Sequence, residues 1–272
     1  MGPCFSSTTL AAPPCHFPVG EHQPTFERNY QRAKNFQHLH LLKLLTWNCC
    51  RGSFETKPPL VDHFNADISV FQEVSKPKVA RANVLWFGKN PKIGMAIQAR
   101  TPYSIKPLPA LDGVPEYIVP IQVNGPQNFT LFAVWTKNDK ALPYIRSLST
   151  ALDRYVDLLC QGAPVVVMGD FNSNAIWDKQ HPKHLNHSSM VDRLDSVGLV
   201  SAYHQHSSFR HGEESDSTFY LYRKQEKGHH IDYCFLPKEW AGAISRVWIG
   251  TFQEFEAVSD HRPLIVEISQ AA

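Results

Sequence analysis

The chain has no Cys-x-x-Cys pair. Its six cysteines (Cys4, Cys15, Cys49, Cys50, Cys160 and Cys234) are scattered, which excludes a zinc ribbon and a dithiol redox centre. Cys49 and Cys50 are adjacent, so on a strand they point to opposite faces; buried free thiols in a reducing compartment are the expectation. No apolar run reaches the length needed to span a membrane. The start, MGPCFSSTTLAAPPC, lacks the early basic residues and apolar stretch of a secretory signal. Gly2 and Ser6 fit an acylation spacing formally, but Pro3 breaks it. A cytoplasmic monomer is expected. An excess of one charge is missing too: 27 Lys and Arg face 25 Asp and Glu, for a net +2. A general polyanion-binding surface is thereby excluded, and any such surface must be a local patch.

What the sequence does have is 43% hydrophobic residues over 272 positions, enough to build one large core. Residues 1–38 carry five prolines (Pro3, Pro13, Pro14, Pro18, Pro24) and no periodic pattern; they read as a poorly ordered extension. Residues 39–272 read as one domain. Runs rich in Val, Ile, Leu, Phe and Tyr predict strands over 41–48, 67–73, 93–99, 117–123, 129–136, 164–170, 217–223, 230–236, 244–250 and 262–269. Several are apolar on both faces, as in strands covered on both sides. The stripe Leu142, Ile145, Leu148, Leu152, Tyr155, Val156, Leu159 predicts a helix over 141–160; shorter helices are expected over 57–65 and 188–197, the latter stopped by Gly198. Many strands, few helices and strand-helix-strand units at 41–73 and 129–170 point to an α/β domain of two packed sheets with helices outside.

Four polar strings sit at the ends of apolar strands: Trp47-Asn48, Gln72-Glu73, Gly169-Asp170-Phe171-Asn172 and Ser259-Asp260-His261. Each has an ordinary explanation alone, since Asn and Asp after a strand are most often turn formers and a Glu there is most often solvated. Together they put carboxylates, carboxamides and an imidazole where buried strands end, and such groups are costly unless paired or ligated. That inventory suits a hard divalent cation and a phosphate ester. Asp and His adjacent in sequence rarely bond each other, so His261 needs another orienting partner, and Asp232 in HHIDYCFLP is the candidate.

These strings, with Ile231-Asp232-Tyr233, resemble in order and separation the endonuclease/exonuclease/phosphatase (DNase I-like) superfamily, over about residues 41–269. The resemblance implies a four-layer α/β sandwich, two mixed sheets flanked by helices, and a Mg²⁺-dependent phosphoesterase (Mn²⁺ the alternative metal) that cuts phosphodiesters. A nuclease is favoured over a lipid or small-molecule phosphatase of the same fold and over a non-catalytic binding module. It also implies roles: Asn48, Glu73 and Asp260 for the metal; Asp170 to align or deprotonate water; Asn172 as a donor to phosphate; His261, oriented by Asp232, to stabilise the transition state. Either Asp170 or His261 could be the formal base. Relatives commonly carry His or Tyr where this chain has Trp135 in LFAVWTKND, and Trp cannot take a charge.

Candidate substrate contacts are Arg51, Trp135, Asn174 and His187, each with a plain alternative: a surface cation, a core aromatic, a turn former and a loop histidine. Thr218-Phe219 resembles a loop element near the family's site. Eight of the fourteen histidines fall between 181 and 230. No cysteine joins them, and solvated loop histidines are expected there rather than a zinc site.

Overall fold

The computed structural model describes residues 41–138 and 143–269. The sequence-defined extension, 1–38, lies outside them, as does the start of the helix expected over 141–160. The first sheet has six strands in the order β13 (Ile244–Ile249), β14 (Leu264–Ser269), β1 (Leu41–Gly52), β2 (Ile68–Val74), β4 (Ile93–Ala99), β3 (Val84–Asn90). The second also has six, in the order β5 (Ser104–Pro107), β6 (Ile118–Asn124), β7 (Phe129–Trp135), β8 (Val165–Asp170), β12 (Asp232–Pro237), β9 (Leu199–Ser201). A short ribbon joins β10 (Phe219–Tyr220) to β11 (Gly228–His229). Each large sheet has one parallel pair, β1 with β2 and β7 with β8.

The core lies between the two sheets and follows the two-residue period of a strand. Leu42 and Leu44 of β1, Ile68 and Val70 of β2, Val166 and Met168 of β8, and Cys234 and Leu236 of β12 all face it. Each such side chain, fully buried, stabilises the fold by roughly 1.5–3 kcal/mol. The alternate residues face outward. Phe132, Val134, Val165 and Val167 pack under helices Ile145–Arg154 and His187–Ser196. Leu45, Trp47 and Phe71 pack with Val61 of the 3₁₀ turn Pro58–Phe64 and Phe255 of helix Phe252–Phe255. The result is the expected arrangement of two mixed sheets with helices on both outer faces.

Several local expectations need correcting. The predicted 141–160 helix is interrupted at Tyr155 (φ −98°, ψ 18°), after which helix Val156–Cys160 continues. The 57–65 segment is 3₁₀ rather than α, with Pro58 and Pro59 opening it without amide donors. The predicted strand 217–223 shrinks to β10, because Tyr222 adopts φ 57° and stands 76% exposed. β3, β5 and β9 were not foreseen: they are sheet-edge strands, short or only half-buried, so their apolar alternation is weak.

Candidate active site

The same alternation that builds the core also builds the site. Extending each inner face to the end of its strand runs Leu42-Leu44-Thr46-Asn48, Ile68-Val70-Gln72, Val166-Met168-Asp170 and Leu236-Cys234-Asp232. Apolar residues give way to polar ones at one rim, where the parallel pairs end at their carboxyl sides. Register holds them together: Asn48 stands beside Gln72, and Asp170 stands between Trp135 and Asp232.

Asp170 is the centre of this rim and is fully buried. Its Oδ2 accepts from Asn48 Nδ2 and from Asn172 Nδ2, both at 2.9 Å, and its Oδ1 accepts from the Asn172 backbone N–H at 2.9 Å. Asn48 Nδ2 also lies 3.5 Å from Glu73 Oε1. Alternation alone would turn Glu73 to the outer face. A register shift between Phe71 and Val74 and a left-handed backbone at Glu73 (φ 52°) bring it back to the rim. Asn172 is also left-handed (φ 47°), and its Nδ2 further donates to the Thr136 carbonyl at 2.9 Å. The turn needs Gly169, because a Cβ there would collide with the Val134 carbonyl oxygen.

The imidazole is held as the sequence implied. His261 Nδ1 is 2.9 Å from Asp232 Oδ2. A carboxylate accepts, so Nδ1 carries the proton and Nε2 is directed elsewhere. Thr218 Oγ1 accepts from the backbone N–H groups of Ile231 (2.9 Å) and Asp232 (3.0 Å), anchoring that strand end. The Ser259 hydroxyl donates to the Asn48 carbonyl at 2.8 Å and accepts from the His261 N–H at 3.0 Å. Asp260 is half-buried beside His261, and its side chain makes no hydrogen bond among the described residues.

Electrostatics separate the two central groups. Burial, then the Asp232 charge across the strand pair, push Asp170 up to about 7, against the pull of His261 and the Asn48 hydrogen bond. Burial opposes a charged His261, but Asp232 and Asp170 outweigh it and raise His261 to about 10. Ligand atoms of Asp170, Asp232 and His261 lie within 4.8 Å of one another. The rim opens on a cleft of about 840 Å³ lined by Arg51, Glu73, Lys92, Trp135, Lys137, Tyr144 and Asn172, among others. Trp135 is mostly core: it is only 4% exposed, packs on Tyr117 at 4.6 Å, and carries Lys137 Nζ 4.7 Å above its ring.

A sequence model of the Endonuclease/Exonuclease/phosphatase family matches residues 45–261. This chain belongs to that family. As an Endonuclease/Exonuclease/phosphatase protein it is a hydrolase of phosphate esters. Solved structures share its fold. A 3'-5' exonuclease (NExo) from Neisseria meningitidis superposes with a TM-score of 0.61 at 22% identity, covering 84% of this chain and 100% of that one. An AP endonuclease from Archaeoglobus fulgidus gives 0.60 at 18% identity, covering 84% and 100%. AP endonuclease LMAP from Leishmania major gives 0.64 at 14% identity, covering 88% and 91%. No match was found among curated protein sequences.

Two expected substrate contacts must be withdrawn. Asn174 is 2% exposed, and its Nδ2 is committed to Glu214 Oε2, the His230 carbonyl and the Tyr233 hydroxyl. His187 is 1% exposed, between Ser173 Oγ (2.9 Å) and His211 Nδ1 (3.1 Å). Both lie behind the 171–174 turn, not on the cleft. The expectation of solvated histidines holds for His181, His184 and His206, which are exposed, and fails for His187, His204 and His230, which are buried. Sequence reasoning missed Thr136, Lys92 and Tyr144, and named Ser259 only as part of its string, without the bonds it makes. The hydroxyls gave no signal, because a Thr or Ser at a strand end is ordinary.

Proposed function

We propose that this protein is a divalent-cation-dependent phosphodiesterase acting on nucleic acid, with Mg²⁺ as the working metal. One observation carries the reading: a buried Asp170 held by two carboxamides and set beside an Asp232–His261 pair, with its partner Asn172 lining a cleft shared with Glu73, Arg51, Lys92 and Lys137.

The residues present fit a hard cation. Among the described residues Glu73 lines the cleft with only a long contact from Asn48, so its carboxylate is available, and the buried Asp232 Oδ1 atom has no hydrogen-bond partner. Glu73, Asn48 and Asp260 would hold the metal, Asn48 and Asp260 partly through water. Bound there, it would neutralise charge on the phosphoryl group. Asp170 is the base: it is the group near neutrality, whereas His261 is already protonated and can only donate. Asn48 and Asn172 hold its carboxylate in place. The His261 imidazolium faces charge that grows on the phosphate oxygens, contributing roughly 2–4 kcal/mol in a site closed to water; both hydrogens of Asn172 Nδ2 are given to Asp170 and the Thr136 carbonyl, so the expected phosphate donor positions the base instead. Asp232 keeps His261 charged and oriented.

Three cations beside Tyr144 in one cleft favour a nucleic-acid strand, whose phosphates and bases want those two kinds of surface. A neighbour of the same fold, a 3' phosphatase NExo from Neisseria, was captured with a product DNA hairpin. A second reading, a small phosphate ester or lipid headgroup, draws on the same fact that three cations line one compact cleft. Side-by-side assay of DNA, abasic DNA, RNA, phosphoinositides and sphingomyelin with Mg²⁺ separates them. Turnover of a nucleic acid, stopped by EDTA, is expected; turnover confined to a lipid headgroup sinks the first reading.

A further inference from the structure

Behind the 171–174 turn lies a second polar cluster that the phosphoesterase reading does not use. His204 and Glu214 have side chains only 8% and 4% exposed, and His204 Nε2 is 3.1 Å from Glu214 Oε1. The His211 ring stacks on the His204 ring with centroids 3.5 Å apart; in-plane lone pairs of parallel rings do not meet at one ion, so metal binding requires the His211 ring to swing out of the stack. One ligand atom from each of His204, His211 and Glu214 falls within 4.8 Å of the other two. Among the described residues no lysine or arginine pairs with Glu214; its only ionic partner is an imidazole.

We propose that His204, His211 and Glu214 form a zinc site that ties the 208–217 loop to the turn carrying Asn172. Two imidazoles and one carboxylate are a donor set for Zn²⁺. Tetrahedral bonds of about 2.0–2.1 Å separate ligand atoms by roughly 3.3 Å, close to the His204–Glu214 spacing.

The surrounding bonds hold each ligand by its other atom, as outer partners of a metal site do. His204 Nδ1 lies 2.8 Å from Ser201 Oγ, leaving Nε2 turned to the cluster. Glu214 Oε2 accepts from Asn174 Nδ2 (3.1 Å) and the Gly212 N–H (3.0 Å), leaving Oε1 turned the same way. His211 is braced by His187, itself anchored on Ser173.

His230 supplies an independent observation. It is 3% exposed, and its Nδ1 lies 2.8 Å from the Asp216 carbonyl. A carbonyl only accepts, so Nδ1 bears the proton and the neutral ring keeps a bare lone pair on Nε2. That buried nitrogen has no hydrogen-bond partner among the described residues. Its ring sits 6.0 Å from that of His204. An acceptor buried without a partner is unfavourable; His230 stands outside the ligand group, so a water bridging it to the metal would remove the deficit.

This site involves none of the residues given to catalysis, so it stands or falls separately from the phosphoesterase reading. The test uses the full chain carrying Glu73→Gln and Asp170→Asn, which disarm the rim. EDTA-stripped protein is titrated with Zn²⁺ against a chromophoric chelator and with Co²⁺ by visible absorption. One equivalent, tetrahedral cobalt bands and a Zn²⁺-dependent rise in melting temperature are expected. His211→Ala should lower Zn²⁺ affinity at least 100-fold. Ser201→Ala, which removes only the partner of His204 Nδ1, should lower it about 10–100-fold. Where His211→Ala does not fold, the parent and Ser201→Ala decide. No zinc on the parent, or equal affinity in parent and variants, overturns the proposal.

Discussion

At Asp170 three donated hydrogen bonds meet a carboxylate that burial would otherwise keep neutral. Asp170→Asn should lower turnover by about two to four orders of magnitude. The fold should survive, with a melting temperature within a few degrees. The amide faces one wrongly paired N–H of Asn172, but a buried charge is gone, and the two effects oppose each other. Activity requires Asp170 ionised and His261 protonated, so the pH profile should be a bell. With saturating Mg²⁺ it should rise as Asp170 loses its proton, at or below about 7 because the cation favours the carboxylate, and fall as His261 loses its own near 10. Stability follows a different course. Both groups bind their proton more tightly when folded. The His261 contribution is complete below about 6.5 and disappears as pH climbs through 10; the Asp170 contribution is complete below about 4 and disappears by about 7. Metal-free protein should therefore melt lower as pH is raised across both windows, measured by calorimetry in EDTA. A flat profile would contradict these assignments.

The strand is the element that makes the site, and it explains what was readable. A two-residue period with apolar letters ending in a polar one places Asn48, Asp170 and Asp232 on the inner faces, and sequence alone shows that pattern. The same period misdirects Glu73, because a left-handed residue at a register shift is invisible in composition. Asn174 and His187 were misread for a related reason. A turn has two sides, and nothing in the letters FNSN says which one meets the cleft. Edge strands were lost because half-exposed backbone carries little hydrophobic signal. The turn's geometry has its own test. Gly169→Ala forces a methyl against the Val134 carbonyl in the centre of the second sheet, and should cost about 3 kcal/mol or more. Urea midpoints would show it; an unchanged midpoint would mean that the two strands can part.

For the molecule as a whole, near-neutral charge and a cationic cleft coexist because the positive groups are few and gathered. Three phosphate contacts predict a modest salt response, a slope of about −2 for log affinity against log salt on a single strand. Lys137→Ala should raise KM and lower that slope by about 0.7 while leaving kcat nearly unchanged. We propose that residues 39–272 are the folding unit, as the sequence reading held. A chain starting at residue 39 should then melt within a few degrees of the full one, and a large drop would refute the boundary.

The first and last strands among the described residues are neighbours. β14 is antiparallel to β1, and the Trp47 indole and Asn48 carbonyl are tied to His261 and Ser259. During synthesis, Asn48 must therefore wait through more than two hundred further residues before its partners exist. A ribosome-bound chain stalled before residue 261 would lack His261 and β14 and be no working hydrolase, so catalysis should appear only once that segment has emerged.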